Sequence, residues 1–199
     1  MTNLIPLLDR NRRFASTDTR SHTPRLPFLP HRGLFVICCI DCRVDPAEFL
    51  GLEFGEALVA RNVGGRVTAA IIQDVAYASF LVEEKAPEGP YFEAAVIHHT
   101  GCGSRLLEDG QLRHEFAERG AYDEQALADL PVTDPADTVR TDVQRLLAAP
   151  QISRHITVSG HVYDVDTGLV TTIVEATAPA GAAAEPLNAS PQAHVIEAH

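Results

Sequence analysis

Leu34-Phe35-Val36-Ile37-Cys38-Cys39 is an uninterrupted apolar run, and two shorter ones follow it, Ala57-Leu58-Val59-Ala60 and Ala94-Ala95-Val96-Ile97. Each is bounded by turn residues. Continuous runs of this length suit strands buried on both faces of a parallel sheet. Helical patterns lie between and after them. Pro46 to Leu52 is short, with proline at an early helical position. Thr68 to Glu84 carries Ile71, Val75, Ala78 and Val82 at spacings of three and four, the stripe of a helix that packs on a core. The pattern turns helical again past Gly110, most clearly from Thr138 to Ala149, where Pro150 stops it. Alternating strands and helices predict an α/β domain with a mainly parallel central sheet flanked by helices. Ile156–Val162 and Leu169–Val174 flank the turn Asp164–Gly168 and predict a hairpin that adds one antiparallel strand at an edge.

Outside this block the chain changes character. Leu4, Ile5, Leu7 and Leu8 suggest one N-terminal helix, and Pro24, Pro27 and Pro30 then impose an extended arm. From Ala176 to about Pro191 alanine, proline and glycine dominate, the composition of a flexible tail. The expected organisation is an arm over 1–33, a catalytic domain over 34–175 and a tail over 176–199.

A length of 199 residues, 45% of them apolar, suits one globular domain with a core and argues against global disorder. No apolar run reaches the ~18–20 residues of a membrane helix, and Met1–Arg13 has no signal-peptide core, so a cytoplasmic protein with no membrane partner is expected. The net charge of −11 argues against nonspecific nucleic-acid binding. Residues 1–66 hold 9 Arg against 7 Asp and Glu, whereas residues 67–199 hold 7 Lys and Arg against 20. Either composition simply scatters, or a mildly basic arm lies on an acidic body, its own or a partner's. Without a secretory signal, the 4 cysteines read as thiols, metal ligands or a redox pair.

In sheets of this kind, ligands bind beyond the carboxyl ends of the strands. After the first strand comes Cys39-Ile40-Asp41-Cys42-Arg43, after the second Arg61-Asn62-Val63-Gly64-Gly65-Arg66, and after the third His99-Thr100-Gly101-Cys102-Gly103. The chemically potent residues thus gather at one edge. Thiolate and imidazole are the ligands zinc prefers, and Cys39, His99 and Cys102 would leave a fourth position open, the layout of a catalytic site. Two other readings use the same residues: a Cys39–Cys42 redox pair, and a closed structural zinc with Cys42 as fourth ligand. Asp41 and Arg43 favour the catalytic one. Asp41 can accept a hydrogen bond from the nucleophile at the metal, and Arg43 can hold Asp41 in a bidentate pair and keep it from closing the site. Backbone N–H groups around Gly64 and Gly65 are candidate substrate-binding groups. His98 adjoins a ligand but should face the other side of its strand, as a structural residue. His155 and His161 read as packing or surface residues, and His22 and His31 lie on the arm.

Cys39-x-Asp41-x-Arg43 followed by His99-x-x-Cys102, with Arg61-Asn62-Val63-Gly64-Gly65 between, resembles the β-class carbonic anhydrases over about Leu34 to Val174. The resemblance implies one zinc per chain held by Cys39, His99 and Cys102, with an Asp41–Arg43 dyad beside it. It implies reversible hydration of CO2 to bicarbonate by a zinc-activated hydroxide, in homodimers or homotetramers whose N-terminal helix embraces the partner. Relatives on the same scaffold hydrolyse carbonyl sulfide or carbon disulfide. Some bacterial members have a tryptophan in a noncatalytic bicarbonate pocket, and this chain has no Trp.

Overall fold

The structure is a computed structural model that describes residues 4–16, 28–89 and 91–179. The described residues form two units, one ending at Phe28 and one beginning at Leu29. The first contains α1 (Ile5–Ser16), the N-terminal helix expected from its leucines. Most of the expected arm, residues 17–27, and the tail from residue 180 lie outside the described residues.

The second unit is built on five strands, β1 (Leu34–Cys39), β2 (Ala57–Asn62), β3 (Glu93–His99), β4 (Thr157–Tyr163) and β5 (Val170–Thr177). They lie in the order β2-β1-β3-β4-β5. The first four run parallel and β5 pairs antiparallel with β4, so the α/β sheet with an antiparallel edge is as expected. The helices of this unit are α2 (Pro46–Phe49), α3 (Ala69–Lys85), α4 (Gly110–Gly120), α5 (Glu124–Ala128) and α6 (Pro135–Ala148).

Side-chain alternation divides the core in two. Phe35 and Ile37 of β1, Ala94 and Val96 of β3 and Val158 of β4 face Ile71, Val75 and Val82 of α3 and Val139, Val143 and Leu146 of α6. Fully burying side chains of this size contributes about 1.5–3 kcal/mol each. Val36, Cys38, Ala95 and Ile97 point the other way, against Val44, Phe49, Leu52 and Tyr163. There the Phe49 and Tyr163 rings stack with centroids 4.4 Å apart.

Register sets up the site. Cys38 pairs with Arg61 on one side and with Ile97 on the other, so the carboxyl ends of β2, β1 and β3 come level at one edge. Element boundaries differ from expectation in places. β2 runs on to Asn62 and β3 to His99, so Arg61, Asn62 and His99 end strands rather than follow them. α6 begins three residues before Thr138, because the Asp134 side chain caps the N–H groups of Ala136 and Asp137, with Pro135 in the first turn. β5 reaches Thr177, so Ala176 and Thr177 belong to the sheet.

Candidate metal centre

Cys39 ends β1, His99 ends β3, and Cys102 follows a tight turn through Gly101. The ligand atoms of all three are buried and lie within 4.8 Å of one another. Cys39 Sγ and Cys102 Sγ are 3.8 Å apart. Two sulfurs each ~2.3 Å from one tetrahedral zinc would stand about 3.8 Å apart, so the spacing fits that ion. His99 supplies a second observation. Its Nδ1 donates to the Thr100 carbonyl at 3.0 Å, which leaves Nε2 as the lone-pair nitrogen. That Nε2 is buried and has no hydrogen-bond partner among the described residues. A thiolate, thiolate and imidazole set with an unpartnered nitrogen suits zinc. Cys42 is exposed and stands outside the cluster, which supports neither a closed four-ligand site nor a Cys39–Cys42 pair.

The two thiols share their first proton unequally. Cys102 is lowered, chiefly by the hydrogen bond with Cys39 and then, against burial, by His99 and Ser104. Cys39 is raised by the same bond and by burial, while the N–H groups of Asp41 and Gly64 favour its thiolate. Cys38, one residue away but in the opposite core, is pushed up to about 11 by burial. It is a packing residue.

Asp41 lies beside the triangle, with Oδ2 4.0 Å from His99 Nε2. Arg43 grips both carboxylate oxygens. Its backbone N–H and Nε donate to Oδ1 at 2.9 and 3.0 Å, and its Nη2 donates to Oδ2 at 2.7 Å. The guanidinium holds the Asp41 carboxyl well below the ordinary carboxylate range, against some desolvation. Arg43 Nη2 also donates to the Gly101 carbonyl at 2.9 Å and so ties the dyad to the turn that carries Cys102.

Residues outside the expected set hold this edge together. Arg61 donates to the carbonyls of Cys39 and Asp41 at 2.9 and 2.8 Å, fixing the path of the chain beyond β1. Asn62 and the backbone of Arg66 exchange two hydrogen bonds of 2.8 Å across the Gly64-Gly65 turn. Both glycines take positive φ. A Cβ on Gly65 would stand 2.8 Å from the Cys38 carbonyl carbon and 2.9 Å from the Cys39 nitrogen, so only glycine lets the turn lie against β1. Gly64 borders an open cavity of about 590 Å³, lined also by Cys39, Asp41 and an apolar wall of Ile40, Val63, Leu106, Leu107 and Phe116. Gly65 is not among the residues bordering it.

Behind the turn, Arg66 Nε and Nη2 donate to the two oxygens of Asp142 at 2.6 and 3.1 Å, and both side chains are nearly wholly buried. Val67 N–H and Arg145 Nη1 also donate to Asp142. Burial alone would raise this carboxyl, but His98 and Arg66 beside it outweigh burial and leave it at about 2. His98 is fully buried on the helix side, with Nδ1 2.8 Å from Thr138 Oγ1 and Nε2 3.2 Å from Asp142 Oδ2 without hydrogen-bond alignment. It is the structural histidine expected. His155 is exposed, contacts Glu83 and stacks on Tyr91, and His161 is partly buried between Ser159 and Thr172. Neither approaches the centre.

Comparison with known proteins agrees with this geometry. A family model described as carbonic anhydrase matches residues 34–114. β-Carbonic anhydrase 1 of Mycobacterium tuberculosis is 30% identical over 144 residues, covering 72% of this chain and 83% of that protein. A carbon disulfide hydrolase of Saccharolobus solfataricus is 26% identical over 167 residues, covering 72% of this chain and 78% of its own length. The crystal structure of carbonic anhydrase from Streptococcus mutans superposes with a TM-score of 0.72 at 30% identity, covering 87% of this chain and 98% of that one. With its sheet order, its Cys-His-Cys cluster and relatives of this kind, the chain belongs to the β-carbonic anhydrase family.

Proposed function

We propose that this chain is a zinc enzyme that reversibly hydrates CO2 to bicarbonate. The observation that carries the reading is the juxtaposition of Cys39, His99 and Cys102 with an Asp41 that Arg43 holds aside. Cys39, His99 and Cys102 would hold the ion. Bound zinc acts as a Lewis acid and lowers the pKa of water from 15.7 to about 7.

The chain's own groups do the rest. Asp41, ionised at all working pH values because Arg43 neutralises it, accepts a hydrogen bond from the attacking oxygen and aims its lone pair. Arg43 keeps Asp41 beside the ligand triangle rather than in it. Ile40, Val63, Leu106, Leu107 and Phe116 offer an apolar wall to an apolar, linear substrate. Gly64 forms part of that wall, and with Gly65 it sets the turn that lies against β1, its own N–H directed at the Cys39 sulfur.

Carbonyl sulfide and carbon disulfide are the competing substrates, since the same nucleophile attacks them and the same wall accepts them. The likeness to a carbon disulfide hydrolase supports that second reading. Assay of CO2, carbonyl sulfide and carbon disulfide side by side decides it. CO2 turnover exceeding the other two supports the first reading, and the reverse order supports the second. A homodimer or homotetramer fits the outer edge of β2, which has no neighbouring strand among the described residues and bears an exposed Val59. A cytoplasmic location fits thiol ligands that must stay reduced.

A further inference from the structure

Ser104 is a buried hydroxyl, 6% exposed, two residues past Cys102. It opens no strand and caps no helix, yet it has two polar contacts. The backbone N–H of Val132 donates to its Oγ at 3.1 Å. Cys102 Sγ lies 3.2 Å from the same oxygen. A hydroxyl carries one proton. The Val132 N–H occupies an acceptor site on the oxygen, and although Ser104 borders the open cavity, the sulfur at 3.2 Å is the acceptor already in reach of that proton.

Val132 is itself held. It packs with Cys39 and Cys102 in a small buried cluster. The loop before it is clamped by Arg66, whose Nη1 donates to the carbonyls of Asp129 and Pro131 while its other nitrogens grip Asp142. Room for the hydroxyl is also built in, since a Cβ on Gly64 would come within 3.2 Å of Ser104 Oγ. The buried Arg66–Asp142 pair, the 129–132 loop and Ser104 thus form one chain of contacts ending on a ligand sulfur.

We infer that Ser104 is a positioning residue of the metal centre, donating its hydroxyl hydrogen to the Cys102 thiolate and so fixing its lone pairs and drawing charge from it. The inference rests on the metal-site reading above. A thiolate that accepts a hydrogen bond is a weaker donor to its metal, because part of its charge is shared with the proton.

The test is absorption spectroscopy of the full chain with cobalt(II) in place of zinc, comparing the unsubstituted protein with Ser104→Ala and Ser104→Thr. Removing the hydroxyl should shift the sulfur-to-cobalt charge-transfer band to lower energy, and Ser104→Thr, which restores it, should return the band towards its original position. A residue that only fills space would leave the band unmoved in Ser104→Ala, and that result overturns the inference. Should Ser104→Ala fail to take up cobalt, Ser104→Gly is the second variant without a hydroxyl. Loss of cobalt from both, with retention by Ser104→Thr, supports the role, whereas loss from all three overturns it. Absence of any sulfur-to-cobalt band in the unsubstituted chain is a different failure, that of the metal centre itself.

Discussion

Arg43 embraces the Asp41 carboxylate from two directions, Nε to Oδ1 at 3.0 Å and Nη2 to Oδ2 at 2.7 Å, while Oδ2 stays 4.0 Å from His99 Nε2. The pair acts as one unit. Asp41→Ala should retain bound zinc and lose about 10–100-fold in turnover, the range for removing a group that orients a metal centre from outside its ligand shell. Arg43→Ala should lose a similar factor, and the double variant should be no worse than the poorer single one, because both remove the same aim. Zinc content and kcat of the three variants check this. Independent, multiplying losses would separate the two roles.

Cys102→Ser should remove most of the bound metal without unfolding the sheet, since the residue lies in a turn beyond β3. Metal analysis after gel filtration gives the stoichiometry, and circular dichroism reports the fold. An unchanged zinc content would take Cys102 out of the ligand set.

Gly65→Ala would place a methyl group 2.8 Å from the Cys38 backbone at a φ of 66°. Overpacking together with left-handed strain should cost about 2–4 kcal/mol. The displaced Cys39 nitrogen should also weaken metal retention. Urea denaturation of the zinc-loaded chain, followed by metal analysis, reads both effects.

Asp142→Asn leaves Arg66 buried without its counter-charge, a change that typically costs about 3–5 kcal/mol. The sign with pH follows from the lowered carboxyl. In the unfolded chain it titrates near 3.9, and in the folded one at about 2. Its contribution is whole above about pH 4 and is lost as the pH falls through 2, because the unfolded state takes the proton first. The stability difference between wild type and Asp142→Asn should therefore shrink between about pH 4 and pH 2 in urea titrations. A constant difference would mean that the carboxyl titrates alike in the folded and unfolded chain, without the lowering that Arg66 and His98 impose.

Much of this arrangement was legible in the chain itself. Leu34–Cys39 reads as a strand because it is buried on both faces, and in such a strand burial is uninterrupted along the sequence. The ligand cluster was readable because Cys39 and His99 terminate strands that the parallel sheet brings level. What was not legible is what depends on distant pairing. Arg66 and Asp142 are partners across most of the fold, and nothing near either residue names the other. Ser104 looks like an ordinary turn residue until the 129–132 loop delivers the Val132 N–H to it. Arg61 was visible as part of a motif, but its grip on the carbonyls of Cys39 and Asp41 exists only once β2 lies beside β1. The start of α6 was misplaced for a local reason, since Asp134-Pro135 is a capping signal that precedes the apolar stripe.

The central claim is an open zinc site that hydrates CO2. Stopped-flow CO2 hydration at about pH 8.5, above the pKa near 7 of zinc-activated water, on protein carrying one zinc per chain tests it most directly. The account predicts rapid turnover that Asp41→Ala largely abolishes. Negligible turnover by fully metallated wild-type protein would contradict it.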